Sequence, residues 1–324
     1  MVAMTRRRFR PNQLRWREKT RFKSEFAFHC VRQVRQLKLM RTEPPKAALI
    51  ISTYNWPAAL QLVLKSALAQ SEPAFELIIA DDGSKPDTAE AVRATLCSSE
   101  ARWRHVWQED AGFRQSRVRN LGVRYSMAPV LIFIDHDTAL HRHFIADHLR
   151  LSGEGMFVQG KRCFLPESYT EKLIREGLQP GWWPRPWLAG LGNRKNSIYW
   201  PALGRVLARP KELELSIRGC NLAVRRDDFL KVDGFDEFYD GVWGREDSDL
   251  AFRLFHTGVR CRNAWFSALQ AHFHHRQVKR RERDHLDDEL DRVRQERRTI
   301  AARGLSRMDG EGRVVAASPG YSEG

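Results

Sequence analysis

The 324 residues suffice for one large α/β domain or two smaller ones with a well-filled core. The net charge of +15 is uneven: residues 1–46 hold fourteen Lys and Arg against three Glu, leaving only about +4 on the remainder, ordinary for a soluble enzyme. No apolar run approaches the ~20 residues of a membrane span, the N-terminus lacks the apolar core of a signal peptide, and the five scattered Cys form no C-x-x-C, so a reduced, cytosolic chain without a zinc site is expected.

Residues 1–46 form a basic arm with interleaved aromatics: Phe9, Trp16, Phe22, Phe26 and Phe28. A helix is expected from Phe22 to Leu39, ending before Pro44-Pro45. Two readings stand: a helix packed on the body, or a surface meeting anionic lipid headgroups. Nucleic acid is the less supported partner, because no nucleic-acid fold signature follows.

The body opens with Ala47–Ser52, a buried strand, and the turn Thr53-Tyr54-Asn55-Trp56-Pro57, with Asn55 as expected N-cap. Leu60, Val63, Leu64, Ala67 and Leu68 make one apolar helical stripe. Phe75–Ala80 is a second strand running into Asp81-Asp82-Gly83-Ser84. A helix over Thr88–Leu96, a strand over Arg104–Gln108 and a helix over Ser116–Ser126 follow. The strand Val130–Ile134 then ends in Asp135-His136-Asp137. Strand and helix alternate at the spacing of right-handed βαβ units, which predicts a mainly parallel sheet.

Three strands thus end in polar clusters, and in a parallel sheet those ends share one edge, where ligands bind. A strand buried on both faces cannot keep two carboxylates inside, so Asp135 and Asp137 lie past its end. There they suit a hard divalent cation that also carries phosphate oxygens.

Beyond the helix Phe144–Leu151, Gly155–Lys161 nearly spells a phosphate loop, but Arg162 stands where a hydroxyl is needed and Met156-Phe157-Val158 reads as a strand. Residues 176–216 are irregular, with a Trp-rich stretch at 180–187 open to three readings: a loop packing its own aromatics, a sugar-stacking surface or a membrane contact. Arg218–Val224 resumes strand character. Glu246 and Asp247 open a helix with the stripe Leu250, Ala251, Leu254, Phe255, stopped by Gly258. Residues 277–303 are expected as a charged, solvated helix and 304–324 as a disordered tail. His141, His143 and His148 lack the spacing of familiar zinc sites and are placed on or capping a helix surface.

Five blocks of this chain resemble, in order, the family 2 glycosyltransferases of the nucleotide-sugar-binding GT-A type. They are Ile51–Asn55, Ala80–Ser84, Gly112-Phe113 with Arg119–Gly122, Phe133–Asp137, and Gly244–Asp249 with His272 and His275. The C-terminal half resembles the β1,4-galactosyltransferase and chondroitin polymerase domains. The resemblance covers residues 47–276 and implies an α/β fold with a Rossmann-like sheet. The nucleotide-binding half is 47–137 and the acceptor and catalytic half 138–276.

It also implies roles. Thr53, Tyr54, Asn55, Asp82, Ser84, Arg119 and Asp135 would hold the nucleotide sugar, expected to carry UDP. Asp137, His272 and Asp135 would bind Mn²⁺ or Mg²⁺. Trp243, Gly244, Arg245 and Asn221 would face the acceptor. Asp247 would be the general base, with Glu246 orienting the acceptor. A helix N-terminus keeps such carboxylates ionised, the form a base needs. Arg245 replaces the second Gly of the family's W-G-G-E-D block, either selecting an anionic acceptor or pairing with Glu246.

The function expected is an inverting, metal-dependent hexosyl- or N-acetylhexosaminyltransferase at the inner face of a bacterial-type membrane. Its acceptor would be a lipid-linked or polymeric envelope glycan of lipopolysaccharide core or capsule type. A nucleotidyltransferase would share the acidic strand ends but has no use for Glu246-Asp247. A non-catalytic basic adaptor would not need Asp82, Asp135, Asp137 and Asp247 intact. For the arm, deleting residues 1–40 should lower co-sedimentation with anionic vesicles, and high salt should mimic the deletion. Equal binding with and without the arm would remove it as the membrane contact.

Overall fold

The computed structural model describes residues 44–211, 217–276, 285–308, 310, 312–319 and 321. The expectations for the basic arm and for residues 277–284 lie outside these. Pro44–Gly324 forms one compact unit.

In chain order the strands and helices of residues 47–135 are β1 (Ala47–Thr53), α1 (Pro57–Leu68), β2 (Phe75–Asp81), α2 (Pro86–Leu96), β3 (Arg102–Trp107), α3 (Gln115–Arg124) and β4 (Val130–Asp135). Next come β5 (Thr138–Leu140), α4 (Phe144–Leu151), β6 (Met156–Gln159), β7 (Lys161–Phe164), α5 (Glu167–Glu176), α6 (Pro201–Leu207), β8 (Pro210–Lys211) and β9 (Asn221–Arg225). The chain continues through α7 (Arg226–Lys231), α8 (Glu246–His256), β10 (Arg260–Asn263), β11 (Leu269–His272), α9 (His285–Gln295) and β12 (Arg313–Ala317).

The main sheet runs β12-β3-β2-β1-β4-β9-β6-β10-β8, with β3, β2, β1 and β4 mutually parallel. Strand β1 is buried along its whole length because both faces are covered. Its alternate residues divide between two cores: Ala47, Leu49 and Ile51 pack with the α1 stripe, whereas Ala48 and Ile50 pack with Val118 and Leu121 of α3 and Leu250 of α8. The period of two in the strands and of 3.6 in the helices therefore yields a helix–sheet–helix sandwich.

Register places the site. Thr53 pairs with Asp81 and Ser52 with Asp135, so the polar ends of β1, β2 and β4 lie side by side. A second sheet, β5-β11-β7, pairs Thr138 with His272, which carries that histidine to the residue after Asp137. The Phe273 amide donates to the Asp137 carbonyl at 2.8 Å and closes the junction.

Asn120 fastens α3 to the segment before α8, and Gly122 fastens it to β1. The Asn120 side chain donates to the Phe235 carbonyl and accepts from its amide, at 2.8 and 2.9 Å. Gly122 lies where a Cβ would come 2.6 Å from Ile50, so only glycine lets α3 approach β1 this closely.

The C-terminal expectations need correction. The tail after Gly304 is not structureless: β12 adds antiparallel to β3, and Arg104 stacks on the Tyr321 ring. Strand β3 would otherwise be an open edge, whose unpaired backbone groups invite a further strand. Helix α9 is not wholly solvated either, because Leu290 and Val293 pack on Phe252 of α8. Nor is Asn55 the N-cap of α1: Trp56 occupies that position, and Asn55 takes a left-handed φ of 48°.

Candidate active site at the strand ends

A cavity of about 660 Å³ opens over the ends of β1, β2 and β4. Of the residues predicted from sequence, Thr53, Tyr54, Asp82, Arg119, Asp135, Asp137, Trp243, Gly244, Arg245, Glu246 and Asp247 line it. Asn55, Ser84, Asn221 and His272 do not.

Asn55 and Ser84 instead tie the first two strand-end loops together. The Asn55 amide donates to Ser84 Oγ, and Asn55 Oδ1 accepts from the Lys85 amide, both at 2.9 Å. Asn221 is buried away from the cavity, bonded to His148 Nε2 at 2.9 Å and donating to the carbonyls of Lys161 and Ala268. It fills the contact that Gly160 leaves open, and so joins the two sheets rather than facing an acceptor.

Past the end of β2, Asp82 is held by Gln108 Nε2 at 2.6 Å and by the Arg114 amide at 2.8 Å. Burial nevertheless pushes its carboxyl up to about 6. Thr53 Oγ1 is buried without a protein partner, and Tyr54 donates to Asp110 at 2.9 Å. Asp135 Oδ1 receives Ser52 Oγ, Gln115 Nε2 and Arg119 Nη2, all within 3.0 Å.

Asp137 sits apart from Asp135. Its Oδ2 lies 3.2 Å from His272 Nε2 and 3.1 Å from His275 Nε2. Its Oδ1 is buried with no partner. Burial opposes ionisation of Asp137, but bonds from His272 and His275 outweigh it and hold the carboxyl well below the usual range. One carboxylate and two imidazoles whose ligand atoms lie within 4.8 Å of one another fit a divalent cation. Asp135 falls outside this cluster because Arg119 holds it, whereas His275 completes it. The H-x-x-H spacing carried that signal.

Arg119 is buried at the centre. Its Nη2 meets Asp135 and its Nη1 meets Glu246 Oε1 at 3.1 Å, and its guanidinium lies 5.2 Å from the Phe235 ring centre. Gly219 leaves the space: a Cβ there would come 2.6 Å from the guanidinium. The Gly219 amide in turn donates to Asp247 Oδ2 at 3.0 Å, while Ser248 donates to Oδ1. Arg245 pairs with Asp287 of α9 at 2.7 Å, not with Glu246. Gly244 and Arg245 have φ of 111° and 80°, a turn that glycine adopts readily and arginine only against strain.

Among the histidines, His148 is fully buried and His141 nearly so, stacked on Tyr199 with ring centres 4.2 Å apart. Both belong to the interior, not to a helix surface. Trp182 and Trp183 pack on the core with their indole N–H groups bonded, whereas Trp187 is exposed. Gln115, Arg162, Arg218 and Cys220 also line the cavity, with no sequence motif to announce them.

The family description "Glycosyl transferase family 2" matches residues 48–199, and "N-terminal domain of galactosyltransferase" matches 209–277. Residues 48–199 thus match a family 2 glycosyltransferase domain. The chain's sequence is 29% identical over 228 residues to validoxylamine A glucosyltransferase of Streptomyces hygroscopicus subsp. jinggangensis, covering 66% of this chain and 52% of that protein. It is 26% identical to chondroitin synthase of Escherichia coli and 25% to hyaluronan synthase of Pasteurella multocida. Those matches cover 67% and 65% of this chain but 33% and 23% of the relatives. The chain thus spans about half or less of these relatives.

The family 2 domain has the GT-A fold of two solved structures. Mannosyltransferase PcManGT from Pyrobaculum calidifontis, in complex with GDP-Man and Mn²⁺, is 18% identical, with a TM-score of 0.50 over 74% of this chain and 59% of that one. S. aureus TarS 1–349 in complex with UDP-GlcNAc is 15% identical, with a TM-score of 0.50 over 78% and 66%.

Burial, then the charge of Asp247, pushes the Glu246 carboxyl from 4.5 up to about 7, overriding the helix dipole expected to keep it ionised. A raised carboxyl binds its proton in the fold at pH values where the unfolded chain has lost it. Stability is therefore withdrawn as pH rises from about 4.5 through about 7. Glu246→Gln removes that titration, so its melting temperature should gain on the wild type between pH 5 and pH 8. A difference independent of pH would show that Glu246 titrates normally.

Proposed function

We propose that this chain is an inverting, metal-dependent glycosyltransferase that moves a hexosyl or N-acetylhexosaminyl group from a UDP sugar to an envelope glycan. The observation that carries the reading is one cavity shared by the strand-end acids and by Asp247 at the head of α8. Inversion needs acceptor and leaving group on opposite sides of the anomeric carbon, and this cavity has acids on two sides.

Thr53, Tyr54 and Asp82 take the base and ribose, with Asp82 accepting from the uracil ring, and Asp135 completes the ribose contact. Asp137, His272 and His275 would hold a divalent cation, Mn²⁺ or Mg²⁺, which would supply charge neutralisation for the diphosphate. A Mn²⁺ and a nucleotide sugar accompany the Pyrobaculum mannosyltransferase, and a UDP sugar accompanies TarS, which supports this division.

Trp243, exposed at the cavity rim, offers a flat face to the acceptor sugar. Asp247, fixed by Gly219 and Ser248, accepts the proton of the acceptor hydroxyl as its oxygen bonds to the anomeric carbon. Glu246, pushed up to about 7, is partly protonated at neutral pH and can donate to an acceptor hydroxyl as well as accept from it. That suits it to orienting the sugar. The acceptor is a lipid-linked or polymeric glycan, which the basic arm would meet at an anionic membrane surface; no helix among the described residues is long and apolar enough to cross a membrane.

Two measurements test this. Asp247→Asn should lower kcat by roughly 10²–10⁴-fold at saturating donor and acceptor while sparing donor binding. If it keeps its turnover and Glu246→Gln loses it, the two acids exchange roles; if both keep it, the assignment of the base fails. Alanine at Asp137, His272 or His275 should abolish Mn²⁺-dependent UDP binding, followed by calorimetry, without unfolding the chain. Metal dependence that persists in the Asp137 variant would move the ion elsewhere.

A further inference from the structure

We propose that Arg162 is a further catalytic residue: a fixed cation that receives the departing nucleoside diphosphate beside the Asp137–His272–His275 cluster. This rests on the transferase reading above.

The position follows from sheet register. Strand β7 runs parallel to β11, with Arg162 opposite Gln270 and Phe164 opposite His272. Residues two apart on a strand share a face. The Arg162 guanidinium accordingly lies 5.0 Å from the Phe164 ring centre, and that ring lies 5.3 Å from the His272 ring. Arg162 reaches the wall of the cavity.

Its partners set it apart from the other cavity guanidiniums. Arg119 is neutralised by Asp135 and also bonds Glu246, and Arg245 is paired with Asp287. Arg218 is exposed and can be hydrated. Arg162 donates from Nη1 to Cys220 Sγ at 3.0 Å, and its Nε is buried without a partner. Burial pushes the Cys220 thiol up to about 12, so that partner is neutral. Among the described residues, no carboxylate pairs with Arg162.

A half-buried cation with its Nε enclosed and no described carboxylate beside it is costly, and a ligand that brings negative charge relieves the cost. The reaction supplies such a ligand. As the acceptor oxygen bonds to the anomeric carbon, the bond from that carbon to the β-phosphate oxygen breaks. The electron pair leaves on the phosphate. A guanidinium fork matches phosphate oxygens, keeps its proton throughout, and is already in place when the charge develops.

The test compares Arg162→Gln and Arg162→Lys with the full-length wild type. Calorimetry in Mn²⁺ would use whichever of UDP and GDP the wild type binds, against the matching nucleoside. Arg162→Gln should lose at least about tenfold in diphosphate affinity with nucleoside affinity unchanged, and kcat should fall by roughly 10²–10³-fold, the usual worth of a donor at a developing oxyanion. Arg162→Lys should recover part of both. Diphosphate affinity and kcat within twofold of wild type in Arg162→Gln would overturn the role. Parallel loss of nucleoside and diphosphate would overturn it too, leaving Arg162 a structural support. A wild type that binds neither diphosphate would overturn the transferase reading, and this role with it.

Discussion

The buried guanidinium of Arg119 is the constraint on which the rest of the site depends. It bridges Asp135, at the end of a strand in the first half, and Glu246, at the first turn of α8 in the second. A charge this enclosed is tolerated only while both partners stay in place, and removing one partner of a buried pair costs about 3–5 kcal/mol. The relative position of strand end and helix start is therefore fixed by the penalty of leaving a charge unpaired. The glycines follow from it. Gly219 makes room for the guanidinium, and its amide then fixes Asp247, so the proposed base is set by the same contact that joins the halves.

A division of electrostatic labour results. Asp135 is drawn to Arg119, while Asp137, two residues on, is drawn to His272 and His275. The acidic pair thus separates into one carboxylate that anchors the scaffold and one that offers a buried, unpartnered oxygen. At the head of α8 the adjacent acids separate in the same way. Glu246 is buried against Arg119 and carries a raised carboxyl, whereas Asp247 is held by neutral amide and hydroxyl donors. Different environments for neighbouring acids are what acid–base chemistry requires of identical functional groups.

Much of this was legible in the sequence because it is local. The strands β1 and β4 are continuous apolar runs, β2 is one after Glu76, and each ends in polar residues, so the shared edge followed from period and polarity. What stayed hidden depends on residues far apart in the chain. Asn221 looked like an acceptor contact, but its partners His148, Lys161 and Ala268 come from other segments. Arg245 stood beside Glu246 in sequence, yet its counter-ion is Asp287 on another helix. The tail carried no strong strand pattern, and it became β12 because the edge of β3 was open. Asp135 read as a contact to the nucleotide sugar and to the metal together, and only the location of Arg119 separated it from Asp137.

In the proposed reaction the strand ends, the Asp137–His272–His275 cluster and the head of α8 form one donor-and-acceptor site. Anomalous diffraction from crystals grown with UDP and Mn²⁺ tests it most directly. One manganese peak is expected within bonding distance of Asp137, His272 and His275, with the uracil beside Asp82 and the diphosphate between. A manganese peak away from these three residues, or a nucleotide bound outside the cavity over β1, β2 and β4, would contradict it.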